Sequence, residues 1–204
     1  SGTLKPDGEG ATMAMAAYVM AMRGKPDASL NARLYALRTG LPKWGQAFLL
    51  RALYLGKADK AQIDEMEKVI ASNIKITDGR ANVRESFPGE EYEMYMTSDV
   101  RATAMTLAAL LEVNPKSELI GPLVHGLKSE RTKVGTWVST QENLWSLVAL
   151  AEYGRRGATG TTTTTVTVGG KRVIQGQTGT AVSRNPVFGF KVKGAKAGDM
   201  FKRS

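Results

Sequence analysis

The sequence alternates between two kinds of helix, and that alternation restricts the fold more than any other feature. The stretch 11–22 is apolar all round (Met13, Met15, Tyr18, Val19, Met20, Met22), and 28–39 is amphipathic, with Leu30, Leu34 and Leu37 at i, i+4 and i+7. The pattern recurs as apolar 43–55 (Trp44, Phe48, Leu49, Leu50, Leu53, Tyr54) and amphipathic 59–73, where Ile63, Met66 and Ile70 share a face. It recurs again as apolar 98–113 (Val100, Ala104, Met105, Leu107, Leu110, Leu111), amphipathic 117–129 (Leu119, Leu123, Leu127) and apolar 139–155 (Leu144, Trp145, Leu147, Val148, Leu150, Tyr153). A helix that is apolar on every side is expected to be buried on every side, whereas an amphipathic one buries a stripe. The expectation is two layers, one shielded and one facing solvent, built from a degenerate helix-pair repeat that starts near 11, 43, 97 and 139.

The long interval between the second and third pairs holds an insertion. Ile74–Thr77 and Ala81–Glu85 are short strand candidates on either side of Asp78-Gly79, a two-residue hairpin signal. Boundary residues fit the helices: Thr39-Gly40-Leu41-Pro42 combines a C′ glycine with a proline that cannot continue the helix. Asn114-Pro115 reads as an N-cap with proline in the first turn. Asp59-x-x-Gln62 and Ser139-x-x-Glu142 have capping-box spacing. After Gly154-Arg155-Arg156-Gly157 the composition turns to β: Thr161–Val168, a Gly169-Gly170 turn into Lys171–Gln175, then Ala181-Val182 and Val187–Val192. These strands are too few to bury a core of their own. The organisation read from the sequence is therefore a helical domain over 1–157 and strands of an incomplete β-sandwich over 158–204.

Composition excludes several kinds of chemistry. There is no cysteine, hence no disulfide, no thiolate nucleophile or ligand and no cysteine thioester in these 204 residues. The single histidine, His125, lies mid-helix between Val124 and Leu127 and reads as structural or exposed. The longest apolar run, 13–22, is about half of a bilayer span. The net charge of +9 is uneven: residues 1–157 carry 20 basic and 18 acidic side chains, residues 158–204 carry 8 and 1. A basic tail can bind nucleic acid, but the exposed face of a β unit explains it as well, and no nucleic-acid partner is expected. Phosphate-loop, dinucleotide and nucleophile-elbow patterns are absent. Glu90-Glu91-Tyr92-Glu93 reads as a solvated loop, and the methionines of 13–105 read as core.

Residues 131–153 carry the most information. Gly135 allows a tight turn, Trp137 supplies an anchor, Ser139 and Glu142 cap a helix, and Trp145 continues into its apolar face. Gly135, Trp137, the run Ser139, Thr140, Gln141, Glu142, Asn143, and Trp145 together resemble the last helix pair of the thioester-domain toroid in bacterial alpha-2-macroglobulins. Ser98-Asp99-Val100-Arg101 and Lys43-Trp44-Gly45-Gln46-Ala47-Phe48-Leu49-Leu50 resemble earlier pairs of the same toroid, and the likeness spans 11–195. The Gly-x-Trp turn is also similar, more weakly, to terpene-cyclase toroids, whose acidic catalytic motif is missing here.

The resemblance implies a mainly α fold: a partial alpha/alpha toroid of helix pairs with a β-hairpin insertion, followed by part of a CUB-like β-sandwich. It implies a periplasmic or cell-envelope protein that traps proteases, is consumed rather than turned over, and is not an enzyme. The implied partners are target proteases and the rest of a longer parent chain, with no cofactor and no metal. The quoted signature residues are then structural, and no catalytic residue is implied. The family's Cys-x-Glu-Gln motif is missing, so the expectation is the back half of the toroid, with apolar helix faces left open. The alternative, from a different class, is a helical-repeat scaffold that binds protein or peptide and inhibits nothing.

Overall fold

The computed structural model describes residues 4–85, 98–157, 162–168, 171–178 and 201–203. The chain divides into two compact units, Ser1–Glu152 and Tyr153–Ser204. The described residues contain seven helices: α1 (Gly8–Met22), α2 (Ala28–Ala36), α3 (Lys43–Leu55), α4 (Lys60–Ser72), α5 (Asp99–Val113), α6 (Ile120–Ser129) and α7 (Thr140–Gly157). The expectation of a mainly helical chain is met. A hairpin of β1 (Ile74–Thr77) and β2 (Arg80–Val83) separates α4 from the segment before α5, and β3 (Thr162–Val168), β4 (Lys171–Thr178) and β5 (Phe201–Arg203) follow α7.

Layering follows from burial. Along α3, Trp44 to Leu50, Ala52 and Leu53 are all buried, and along α5 the whole run Arg101 to Leu111 is buried. These two helices pack on each other, and α1 packs on α3. The amphipathic helices bury one stripe each: Leu30 and Leu34 on α2, Met66 and Ile70 on α4, Leu123 and Leu127 on α6.

The expectation that every apolar helix is shielded all round fails for α1 and α7. Helix α1 buries Ala11, Ala14, Ala17 and Tyr18 but leaves Met15, Val19, Met20 and Met22 39–61% exposed. Helix α7 buries Ser146 and Ala149 but leaves Leu144, Leu147 and Val148 43–60% exposed. The reason is position. Central helices have neighbours on every side, and α1 and α7 present one apolar face to which no described element is packed.

Local chemistry sets the boundaries. Asp7 accepts from the amide of Glu9 at 2.8 Å, Asp27 from Leu30 at 2.9 Å and Ser98 from Arg101 at 3.1 Å, each satisfying an orphan first-turn donor. Three boundary expectations are corrected. The Asp59 side chain makes no capping bond. Asn114 caps the end of α5 rather than starting the next helix, because α6 begins only at Ile120. Helix α2 ends at Ala36, where the amides of Leu37 and Arg38 tighten to three-residue bonds on Leu34 and Tyr35, and Gly40 belongs to the following turn.

The hairpin forms at the expected turn. Ile74 pairs with Val83 and Thr77 with Arg80, and Asp78 and Gly79 both take positive φ (50° and 72°), the primed turn that matches strand twist. Ala81 and Val83 point into the core against α6. In the second unit β3 lies centrally, antiparallel to β4 on one side and β5 on the other, with a register shift between Val166 and Thr167. The strand expected over Lys171–Gln175 extends to Thr178. Those expected at Ala181-Val182 and Val187–Val192 lie outside the described residues.

Candidate functional site

The signature residues of the α6–α7 connection mostly build that connection. Gly135 takes φ of 87°, closing a turn in which its amide donates to Thr132 O at 2.9 Å and its carbonyl accepts from Arg131 Nε at 2.6 Å. Trp137 is 4% exposed, and its indole Nε1 donates to Leu127 O at 3.0 Å, satisfying a carbonyl in the last turn of α6. Ser139 and Glu142 form the reciprocal capping box: the Glu142 amide donates to Ser139 Oγ at 3.2 Å, and the Ser139 amide to Glu142 Oε2 at 3.0 Å. Asn143 clamps the strap, accepting from the Trp137 amide at 3.1 Å and donating to Trp137 O and Ser139 O at 2.7 and 2.8 Å. Thr140 is the first, exposed residue of α7.

Two signature residues go elsewhere. Trp145 Nε1 donates to Gln141 Oε1 at 3.2 Å, and the Trp145 ring stands edge-on to Phe48 at 5.6 Å. Both residues border a cleft of about 460 Å³ whose other walls are Thr12 and Met15 of α1, Trp44 of α3, Arg101 and Met105 of α5, and Leu144 of α7. All four apolar helices thus contribute to one hollow. Among its lining residues, Trp44 is 6% exposed, and its fully buried indole Nε1 has no hydrogen-bond acceptor among the described residues.

A polar network links the N-termini of α3, α5 and α7. The Glu85 carboxylate receives the amides of Lys43 and Trp44 at 2.8 and 3.2 Å, capping α3 where Pro42 offers no side-chain acceptor. The Glu85 amide donates to Asp99 Oδ1 at 2.8 Å, in the first turn of α5. Ser98 Oγ donates to Glu142 Oε1 at 2.7 Å, so one carboxylate serves the starts of both α5 and α7. Arg101 lies among these groups, 8% exposed, its guanidinium 5.7 Å from the centre of the Trp44 ring. Burial pulls its pKa below the usual arginine value, while the carboxylates of Glu85 and Glu142 act in the opposite direction.

Sequence reasoning missed Arg101, Trp44, Met105 and Glu85 as site residues. One signal for Arg101 is present: it is the single charge between Val100 and Leu111, inside an otherwise apolar helix. Glu85 gave none, because its role depends on where the hairpin delivers it. His125 is exposed on α6. The acidic run Glu90–Glu93 lies outside the described residues, and among the described ones no group of three or more His, Asp or Glu side chains could hold a metal. Among the described residues no helix is long and apolar enough to cross a membrane.

Comparison with known families gives a match between residues 161–204 and the model of the sulphur oxidation protein SoxZ. No match was found among curated proteins. The SoxZ match is not an alpha-2-macroglobulin signal, and it corrects the expected membership of that family and the protease-inhibitor reading attached to it. The physical reason lies in the segment that suggested it. Gly135, Trp137, Ser139, Glu142 and Asn143 are each accounted for by a turn, an indole–carbonyl bond, a capping box and a strap clamp. Any chain that must turn from one helix into the next has use for such residues. Periplasmic location and the implied parent chain rested on the same resemblance and lose their support with it.

Proposed function

We propose that the helical unit is a protein-binding scaffold whose cleft takes an apolar segment of a partner polypeptide. One observation carries the reading: an open hollow of about 460 Å³ walled mainly by Met15, Trp44, Met105, Leu144 and Trp145, with Arg101 and Gln141 among its few polar lining residues. Apolar walls with a few placed polar groups are what a recognition site offers. The apolar faces of α1 and α7 extend the surface beyond the cleft. The scaffold binds and does not turn over a substrate. As finer architecture we infer an alpha/alpha arrangement of pairs α1/α2, α3/α4 and α5/α6, with α7 beginning another, and one layer of a sandwich in β3–β5.

Selection of peptides from a display library on the intact chain tests the proposal. The selected peptides are expected to be apolar and to lose at least about tenfold in affinity on Leu144→Asp or Met15→Asp. Both residues are half-exposed, so these variants should melt like the parent. Peptides indifferent to both substitutions, or a selection that enriches nothing, would overturn it.

The match of residues 161–204 supports a second reading, confined to the β unit: a part in sulphur oxidation. With no cysteine among the 204 residues, no thiolate of this chain carries sulphur, and the part left to it is binding. Oxygen uptake on a reduced sulphur compound, measured in producing cells with and without residues 158–204, tests this. Equal uptake would overturn it.

A further inference from the structure

The hairpin carries a second, chemically different hollow. Strand alternation puts Lys75 and Thr77 of β1 on the same face as Arg80 and Asn82 of β2, while Ala81 and Val83 face the core. Arg84 continues that alternation beyond the strand. With Ser129 and Glu130 at the end of α6, these side chains line an open cleft of about 220 Å³. Three cations therefore line one small concavity, together with the Thr77 hydroxyl and the Asn82 amide, while the Ser129 hydroxyl donates to Gly126 O at 2.7 Å. Lys75, Arg80 and Arg84 are exposed, and none of them forms an ion pair among the described residues. The second strand is spaced so that alternate side chains recur every 6.8 Å or so, and two guanidinium forks and an ammonium can reach one group from different sides.

We propose that this cleft binds a small ligand through a phosphate-class oxyanion. Guanidinium groups match tetrahedral oxyanions by paired N–H donors, and the lysine adds a point charge. Among the described residues the lining contains no aromatic ring on which a base could stack, which disfavours single-stranded nucleic acid. The Glu130 carboxylate also lines the cleft and offsets one of the three positive charges, which leaves a net charge of +2 for an anion. The bland account of these cations is that they blunt the exposed edges of a two-stranded ribbon against pairing with other chains. The two accounts differ in what the cations do together.

Titration calorimetry of the whole chain with inorganic pyrophosphate decides between them. Saturable binding is expected, weakening as salt is raised. Arg80→Gln and Arg84→Gln should each weaken it roughly three- to tenfold, and the double variant by more than either. Lys25→Gln, remote from the cleft, should leave it unchanged. Circular dichroism of each variant controls for folding, which solvent-exposed substitutions should not disturb. No saturable binding would overturn the proposal. So would binding that survives the double variant, which would place the anion elsewhere, for instance on the basic residues of 158–204.

Discussion

Gly126 is where the hairpin touches the helical core, and replacing it with alanine gives a test whose sign runs against the ordinary rule. A methyl group built on its Cα would lie 2.0 Å from the carbonyl oxygen of Ala81, 2.9 Å from the Ala81 carbonyl carbon and 2.7 Å from Asn82 Oδ1. Carbon and oxygen tolerate about 3.4 Å, so β2 must retreat from α6 by roughly 1.4 Å. The Asn82 side chain can rotate away, but the Ala81 carbonyl is backbone, in a strand held by its pairing with β1. Overpacking against an unyielding partner costs about 3 kcal/mol, at the upper end of the usual range. Alanine returns about 1 kcal/mol through helix propensity. The expected net loss is about 2 kcal/mol, or a midpoint lowered by about 4–8 °C for a chain of this size.

Urea unfolding followed by tryptophan fluorescence is the assay of choice. Trp44, Trp137 and Trp145 all lie in the helical unit, so the signal reports that unit alone. Gly121→Ala, on the same helix with nothing within 4 Å of the added methyl, provides the control and should be stabilised by about 0.5 kcal/mol. If Gly126→Ala matched Gly121→Ala in sign, the contact between hairpin and helix would not be the constraint argued here, and the packing of β2 on α6 would have to be redrawn.

Gln46 is 1% exposed, donating to Arg38 O at 2.9 Å and accepting from Asn73 Nδ2 at 2.7 Å. Gln46→Leu strands both partners and should cost about 2–3 kcal/mol in the same unfolding assay, whereas a loss under 0.5 kcal/mol would mean that water replaces the amide. Trp137→Phe keeps the packing but orphans the Leu127 carbonyl, for an expected loss of about 1–2 kcal/mol; an unchanged midpoint would show the indole bond to be dispensable. The Tyr18 phenol is raised above its ordinary pKa of 10.0, by burial first, against the lowering effect of Arg51 and with smaller raising effects from Glu112 and Glu152. The unfolded chain then gives up that proton more readily, so stability should fall as pH rises through 10.0 and beyond. Tyr18→Phe should remove that component of the slope, and an unaltered slope would assign it to other groups.

Much of the helical unit is legible because its signals are local. Seven helices, the Asp78-Gly79 turn and the Ser139–Glu142 box are written in short-range spacing, and all of them form. What was illegible is what depends on neighbours. The apolar residues of α1 and α3 read alike, yet α3 is enclosed and α1 is open on one side, because hydrophobic content does not encode how many elements pack around it. Asp59 and Asn114 have good capping identities but make no such bond or cap the other helix, since a cap is decided by where the backbone arrives. The cleft itself was not read at all. Its walls come from four helices spread over residues 12–145, and only Gln141, Leu144 and Trp145 belonged to the segment that drew notice.

That segment also shows how a motif can be strong and still uninformative about function. The residues from Gly135 to Asn143 solve a generic problem, reversing the chain and restarting a helix, and their hydrogen bonds are spent within the connection itself or on the neighbouring ends of α5 and α6. Groups so fully engaged have little left to offer a ligand. Trp44 is a contrasting case: the Glu85 carboxylate holds its backbone amide, while its ring lines the cleft. The same ring stands edge-on to Phe48 at 6.2 Å and 5.7 Å from the Arg101 guanidinium, so it serves the core as well as the wall. Trp44→Phe trims both, and should cost about 1 kcal/mol in stability while weakening selected peptides roughly threefold or more. Unchanged peptide affinity beside a loss of stability would show that the indole is structural and that the partner does not touch it.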